Sequence, residues 1–277
     1  MKPDLAAYYG EARLPRYTSY PTAPHFSSAI GPASYADWLK AIPQRASASL
    51  YFHVPFCRAM CWYCGCRTTV AKRDEPIAVY EAALRCEIDL VAAQIGRRLS
   101  VEHIHFGGGT PTIMAPESFT DLMGAIRHAF CVVPSADIAV EIDPRTLAPA
   151  MVRALALGGV NRVSLGVQSF DPVVQQAINR VQSFAQTEAA IENLRQAGIA
   201  GINFDLIYGL PYQTVASCLD TVRRCVELRP DRFAVFGYAH VPTFKKYQRR
   251  IDEASLPDSL DRYDQSCAIA GALDEAG

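Results

Sequence analysis

The stretch Ser49-Leu-Tyr-Phe-His53-Val-Pro-Phe-Cys57-Arg-Ala-Met-Cys61-Trp-Tyr-Cys64-Gly-Cys66 decides how this chain is read. It opens as a short strand and runs directly into a loop with the spacing C-x3-C-x2-C. Three thiolates on one loop can hold three corners of a [4Fe-4S] cube and leave the fourth iron without a protein ligand. Structural sites are closed by a full set of protein ligands, whereas a vacant position points to chemistry at the metal. A structural zinc ion is the rival occupant. Zinc asks for a fourth Cys or His; Cys66 is at hand, but a C-x-C step after the other three is cramped for one tetrahedral ion.

The chain has 277 residues, half of them apolar, with 27 Lys and Arg against 28 Asp and Glu and a formal charge of −1. That length suits one (β/α) barrel, which takes roughly 250 residues. Balanced charge gives no support for a nucleic-acid partner. No apolar run reaches membrane-spanning length and the first residues do not read as a signal peptide, so a cytoplasmic protein with no membrane partner is expected. Nine cysteines, four of them crowded between positions 57 and 66, fit a metal site in a reducing compartment better than a disulfide framework. The other five (Cys86, Cys131, Cys218, Cys225 and Cys267) are expected to be small buried hydrophobes.

Strand and helix patterns alternate along the chain. Strands are expected over 49–53, 103–106, 138–142, 162–167, 201–208 and 232–238. Helical spacing runs over 77–95, 117–130, 149–157, 172–179, 184–197, 215–228 and 258–276, with Gly158 and Gly198 as stops. Repeated strand–helix units imply a parallel sheet with right-handed crossovers. The fold class is therefore α/β: a partial (β/α)6 TIM-like barrel over 46–277. It follows an N-terminal arm over 1–45, rich in Pro and aromatics, with a short helix over 35–41.

The unusual residues collect at the C-terminal strand ends, the rim where such barrels place their active sites. They are the cysteine loop, Gly107-Gly-Gly-Thr-Pro111, Glu141-Ile-Asp143, Gln168-Ser169, Asp205 with Tyr208-Gly-Leu-Pro211, and Tyr238-Ala-His240. The triple glycine lacks the lysine of a phosphate-binding loop, and instead lets backbone approach a ligand closely. Glu141 and Asp205 read either as acceptors for ribose hydroxyls or an ammonium, or as helix N-caps. Arg180 reads as a partner for a ligand carboxylate or as a surface arginine, and Gln168 is equally open. Phe56, Trp62, Tyr63 and Phe106 are expected to line the site and exclude water.

The cysteine spacing is the signature of the radical S-adenosylmethionine (SAM) enzymes, and the chain resembles that superfamily from the loop onward. The resemblance implies that SAM chelates the open iron and that reduction releases a 5′-deoxyadenosyl radical. It also implies that the Gly-rich stretch receives the amino group of SAM.

Finer motifs narrow the likeness. Arg16-Tyr-Thr-Ser-Tyr-Pro-Thr-Ala, Tyr51-Phe-His-Val-Pro-Phe-Cys57, Cys64-Gly-Cys66 and Glu141-Ile-Asp-Pro-Arg145 resemble the oxygen-independent coproporphyrinogen III oxidases. So do Gly166-Val-Gln-Ser-Phe170, Asn179-Arg180, Asp205-Leu-Ile-Tyr-Gly-Leu-Pro211 and Tyr238-Ala-His240. The motifs fall in family order over nearly the whole chain. Carried over residue by residue, the resemblance makes Cys57, Cys61 and Cys64 the cluster ligands. Tyr51, Tyr63 (through its backbone), Gly108, Gly109, Thr110, Glu141, Gln168, Arg180, Asp205 and Ala239 become SAM contacts, with two SAM molecules side by side. Tyr51 and Cys66 become the catalytic candidates, Cys66 not being counted as a ligand.

The implied reaction turns two propionates of coproporphyrinogen III into the vinyl groups of protoporphyrinogen IX, in porphyrin and haem biosynthesis. A reductant protein is the implied partner and a monomer the expected state. Arg16, Arg67, Lys72 and Arg73 are candidate anchors for the four carboxylates of the substrate. The family normally continues into a C-terminal domain that helps enclose the substrate, and here that domain is expected to be absent. The alternatives are a radical-SAM-like haem chaperone and a haem-modifying radical SAM methyltransferase. Gly65-Cys66 and the Tyr-Thr-Ser-Tyr-Pro-Thr arm speak against the chaperone.

Overall fold

The computed structural model describes residue 22 and residues 25–277. Most of the expected arm, including Arg16, lies outside the described residues. Its last part forms helix α1 (Pro32–Lys40), which starts earlier than expected because Pro32 suits a first helical turn.

After α1 the chain runs through β1 (Ser47–Val54), the short pair β2 (Phe56–Cys57) and β3 (Thr69–Val70), and α2 (Glu75–Ile95). Then come β4 (Ser100–Gly108), α3 (Pro116–Ala129), β5 (Cys131–Ile142), α4 (Pro149–Leu157) and β6 (Arg162–Gln168). Helices α5 (Pro172–Ala177) and α6 (Phe184–Gln196) lead to β7 (Gly201–Tyr208), followed by α7 (Val215–Glu227), β8 (Arg232–Gly237) and α8 (Ser259–Ala276). The main sheet has six strands in the order β1-β4-β5-β6-β7-β8, every pair parallel, curled into a half barrel. The expected partial (β/α)6 barrel is what forms.

Local chemistry fixes the helix starts. Asp171 caps α5 by accepting from the Val173 and Val174 amides, while Ser183 with Gln186 and Thr214 with Ser217 form reciprocal capping boxes on α6 and α7. Helix α2 ends at Gly96, whose φ of 69° is the left-handed conformation glycine adopts without steric cost.

The two faces of the sheet differ. The outer face packs under the helices into one continuous apolar core that includes Phe52, Ile104, Phe106, Phe119, Val140, Leu155, Leu165 and Phe204. Phe106 stacks on Phe52 at 5.0 Å and tilts against Phe119 at 5.3 Å, so it belongs to this core and not to the site lining. Alternation along β4 sends its neighbour His105 to the other side. The inner face carries Tyr51, His53, His105, Glu141, Ser164, Asn203 and Asp205. In a closed barrel the interior is filled with branched apolar side chains; here it is a polar surface.

Two further expectations are corrected. Strand β5 begins at Cys131, seven residues before the expected start at 138. Val132 pairs with Val101, and an irregularity then absorbs Pro134 before Asp137 meets His103. Of the five remaining cysteines Cys218 and Cys225 are buried, but Cys86, Cys131 and Cys267 are exposed, on the solvent sides of α2 and α8 and at the start of β5.

Truncating Phe106 to Ala would leave a void where three aromatic rings meet. Urea denaturation should show a loss of about 3–5 kcal/mol in unfolding free energy.

Candidate cluster and cofactor site

The cysteine loop sits between β2 and β3 and is tied from several sides. The Trp62 amide donates to the Ile178 carbonyl at 2.9 Å, and Asn179 Nδ2 donates to the Met60 carbonyl at 2.8 Å. A short helical turn at Lys246–Arg250 closes over the other end. From this turn Tyr247 Oη donates to the Cys64 carbonyl at 2.7 Å, Gln248 Nε2 to the Tyr63 carbonyl at 3.1 Å, and Lys245 Nζ to the Cys66 carbonyl at 2.8 Å. Nothing in the sequence signalled this clasp.

Each ligand candidate has its own surroundings. Cys57 Sγ lies 3.3 Å from Thr110 Oγ1 and accepts from Thr68 Oγ1 at 3.4 Å. Cys61 is buried, and its Sγ receives Arg145 Nη2 at 3.5 Å and Arg180 Nη1 at 3.6 Å. Hydrogen bonding to Cys66, together with burial, pushes the Cys64 thiol well above its ordinary range. A nearby metal cation is what would hold Cys64 as a thiolate. Among the described residues no three His, Cys, Asp or Glu side chains are grouped to hold a single metal ion. A cavity of about 320 Å³ opens beside the loop, lined in part by Cys57, Arg58, Thr110, Asp143 and Arg145.

Asp143 organises the buried charges. Arg145 donates to it through Nε at 2.9 Å and Nη2 at 2.6 Å, and Arg180 Nη1 approaches it at 3.3 Å. Burial alone would raise this carboxyl, but the bonds from Arg145 and the charge of Arg180 outweigh it and hold Asp143 below the usual carboxylate range. Arg180 is 6% exposed, which rules out the surface reading. Its Nη2 donates to the Gly166 carbonyl at 2.6 Å, while its buried Nε has no partner.

At the β4 end the Gly109 amide donates to the Val54 carbonyl and the Thr110 amide to the Phe56 carbonyl, each at 2.8 Å. The Gly-rich turn is thereby stitched to the cysteine loop. A Cβ on Gly109 would lie 2.5 Å from the Phe56 oxygen, so only glycine fits. Glu141 accepts from the Gly108 amide at 3.0 Å, and its other oxygen is 3.3 Å from His105 Nε2. Tyr51, 58% exposed, stacks on His105 at 5.8 Å.

The Tyr51 hydroxyl is 2.8 Å from His53 Nδ1, and His53 Nε2 is 2.9 Å from the Arg67 carbonyl. A carbonyl only accepts, so His53 carries its proton on Nε2, and Tyr51 donates to Nδ1. Burial and the nearby charges of Glu141 and Cys66 push the Tyr51 hydroxyl up.

Farther along the rim Gln168 is buried, with φ of 68° at an irregularity between β6 and β7. Asp205 is fixed by Ser164 Oγ and Asn203 Nδ2, each at 2.8 Å. Burial pushes its carboxyl up in spite of those two bonds. The N-caps of α4 and α7 are Ala148 and Thr214, so neither Glu141 nor Asp205 is a helix cap. Ala239 lies exposed past the end of β8, and its carbonyl accepts from Gln248 Nε2 at 3.2 Å. Arg67, Lys72 and Arg73 are exposed beside the cysteine loop.

The model of the radical SAM superfamily matches residues 51–225. The chain belongs to the radical SAM superfamily. It is 70% identical over 277 residues to the oxygen-independent coproporphyrinogen III oxidase of Bradyrhizobium diazoefficiens, an alignment covering 100% of this chain and 62% of that protein. The protein of the same name from Paracoccus denitrificans is 46% identical over 248 residues, 90% of this chain and 55% of that one. The solved structure of coproporphyrinogen III oxidase (HemN) from Escherichia coli, described as a radical SAM enzyme, matches with a TM-score of 0.90 at 37% identity. That match covers 94% of this chain and 60% of the other. The chain thus spans about three fifths of the length of these relatives. No described helix is long and apolar enough to cross a membrane.

Radical SAM proteins work through a [4Fe-4S] cluster and SAM, and the residues here fit both. The unpartnered Arg180 Nε is a buried donor awaiting an acceptor such as a carboxylate. The Gly108 amide and the Glu141 carboxylate meet at the glycine turn, where a ligand amine finds an acceptor, and three cysteine sulfurs on one loop are the soft donor set an iron–sulfur cluster takes. Sequence reasoning missed Arg145, Asn203, Ser164 and the Lys245–Gln248 clasp; the motif Glu141-Ile-Asp-Pro-Arg145 was the one available signal for Arg145.

Gly109→Ala should displace Cys57 and abolish most iron uptake on anaerobic reconstitution, as read by iron and sulfide analysis. Gly124→Ala, in open space on α3, should leave uptake unchanged. For Asp205 the folded state holds its proton more tightly than the unfolded chain, so the charged form costs stability above the ordinary carboxylate pKa, and that cost fades as pH falls. Asp205→Asn should therefore raise the cofactor-free Tm at pH 7, with a smaller gain at pH 4, while weakening SAM binding about tenfold.

Proposed function

We propose that the protein decarboxylates two propionate side chains of coproporphyrinogen III without oxygen, forming the vinyl groups of protoporphyrinogen IX in cytoplasmic porphyrin and haem biosynthesis. The observation that carries this reading is the 70% identity, over the whole chain, with the oxidase of Bradyrhizobium diazoefficiens. The rim geometry supports it, because residues from all six strand ends converge on one polar half barrel.

In this reading Cys57, Cys61 and Cys64 ligate the cluster, and two SAM molecules lie along the rim. Their contacts are Tyr51, Tyr63, Gly108, Gly109, Thr110, Glu141, Gln168, Arg180, Asp205 and Ala239. Bound together, the cluster and SAM supply hydrogen-abstracting radical chemistry. Arg180 pairs with a SAM carboxylate through the edge that carries its unpartnered Nε. Glu141, already set by the Gly108 amide and His105, accepts from a ligand donor at the glycine turn. Asp205 takes a ribose hydroxyl, its carboxylate aimed by Ser164 and Asn203.

Tyr51 offers the substrate an aromatic face, and His53 holds its hydroxyl proton. Cys66 and Tyr51 would serve as the catalytic pair. Each vinyl group forms when the carbon β to the macrocycle loses hydrogen, carbon dioxide departs, and one electron passes to an acceptor. A protein reductant serves the cluster, and the chain works as a monomer. Arg67, Lys72 and Arg73, beside the loop, suit a substrate with four carboxylates.

Anaerobically reconstituted protein, given reductant, SAM and coproporphyrinogen III, should release 5′-deoxyadenosine and form vinyl product by mass spectrometry. Cys61→Ala should lose both, with activity at least about a thousandfold down, whereas Cys66→Ser should keep its iron and lose vinyl product. A methylated product, or haem binding without 5′-deoxyadenosine, would overturn the reading.

A further inference from the structure

Two guanidinium groups converge on a single sulfur of the cysteine loop. Arg145 Nη2 and Arg180 Nη1 lie 3.5 Å and 3.6 Å from Cys61 Sγ, with the Asp143 carboxylate between them. The side chains of Arg145, Arg180 and Asp143 are 18%, 7% and 12% exposed, so little water screens the group. The other two sulfurs have neutral company: Cys57 meets the hydroxyls of Thr68 and Thr110, and Cys64 lies against Cys66. As a ligand, Cys61 is a thiolate. Two cations then face two anions, and the buried quartet is neutral.

Arg180 has a further task in the reading above, because its unpartnered Nε is the donor offered to a SAM carboxylate. Arg145 has none. Its Nε and Nη2 both donate to Asp143, its backbone amide also donates to Asp143 at 3.1 Å, and the same Nη2 reaches the Cys61 sulfur. A residue locked this firmly against one ligand acts on that ligand, although it also lines part of the cavity beside the loop.

The geometry points to Arg145, held by Asp143, as a positioning residue that raises the reduction potential of the cluster through its N–H bond to Cys61. Cluster potentials respond to hydrogen bonds at sulfur and to net charge, most strongly where solvent is excluded. On one-electron reduction the cluster gains a negative charge and the donor, a low-potential carrier protein or dithionite, is oxidised by one electron. A cation beside Cys61 stabilises the reduced state and an anion opposes it. Arg145 and Asp143 touch each other, yet their removal should move the potential in opposite directions. A merely structural contact would not produce that sign reversal.

The inference rests on Cys61 being a ligand, and that assignment fails separately, by Cys61→Ala keeping its iron and sulfide. The test is a redox titration of the reconstituted protein followed by electron paramagnetic resonance, without SAM so that Arg180 is not otherwise engaged. Iron and sulfide are measured alongside. Arg145→Met should keep its cluster, yet have a reduced-to-oxidised ratio about tenfold lower at the potential where the parent is half reduced, a shift of about 59 mV for one electron. Asp143→Asn should shift the other way. Arg145→Lys, which keeps the charge but not the fork, should fall between Arg145→Met and the parent.

Unchanged potentials in Arg145→Met and Asp143→Asn, or shifts of the same sign, would overturn the proposal. So would equal loss of iron from Arg145→Met and Arg145→Lys, which would leave Arg145 a purely structural part. Should Arg145→Met alone lose iron, the opposed shifts of Asp143→Asn and Arg145→Lys still decide.

Discussion

The carbonyls of the cysteine loop take their hydrogen bonds from distant parts of the chain, and the site depends on that. A loop that must turn three sulfurs toward one point pairs its own backbone where the Cys64 amide donates to the Cys61 carbonyl at 3.2 Å, and needs outside donors for its other carbonyls, because unpaired buried carbonyls are costly. Phe56 is served by the Thr110 amide, Met60 by Asn179, Tyr63 by Gln248, Cys64 by Tyr247 and Cys66 by Lys245. The donors come from the end of β4, from the segment just after α5 and from the closing turn after β8. The loop is therefore shaped by the assembled half barrel and cannot hold its form alone.

The division between the faces of the sheet serves the same end. Outward residues bury rings and branched side chains under the helices, giving a stiff platform. Inward positions carry acids, amides and histidines whose bonds run to one another: Ser164 and Asn203 to Asp205, His105 and the Gly108 amide to Glu141. Such a face stays open because it gains little from closing on itself. Strand alternation alone separates Phe106 from His105, one residue apart, into structure and site.

That alternation also explains what the sequence made legible. The six strands, the crossover helices and the rim could be read because periodicity and glycine stops are local. Asp205 and Glu141 could be placed at strand ends, but their orienting partners could not, since Ser164 and Asp205 meet across neighbouring strands. Phe106 was misread because its motif neighbours drew it toward the site, while its own parity on β4 pointed to the core. The early part of β5 was hidden by Pro134, which breaks a strand pattern without ending the strand. The exposed Cys86 and Cys267 show that a small apolar residue in a helical pattern does not reveal which face it takes. The Lys245–Gln248 clasp left no trace, because a polar turn that donates to carbonyls looks like any solvated turn.

Gln248 shows how far this dependence reaches. Its side chain is completely buried, and its amide is used at both ends: Nε2 donates to the Tyr63 and Ala239 carbonyls, and Oε1 accepts from the Val241 amide at 2.6 Å. Beneath it Val174, Ile178, Leu210, Tyr238 and Ile251 form a second apolar cluster, against which Trp62 and Tyr63 pack. The two ends of the rim, the cysteine loop after β1 and the Ala239 turn after β8, therefore share one amide and one small core, although four strands lie between β1 and β8 in the sheet. A change at either end is felt at the other through groups that have no slack, because a buried amide that gives up one acceptor has no water to replace it. The half barrel is open as a sheet, yet its rim is bridged at the point where the cysteine loop meets the far edge strand.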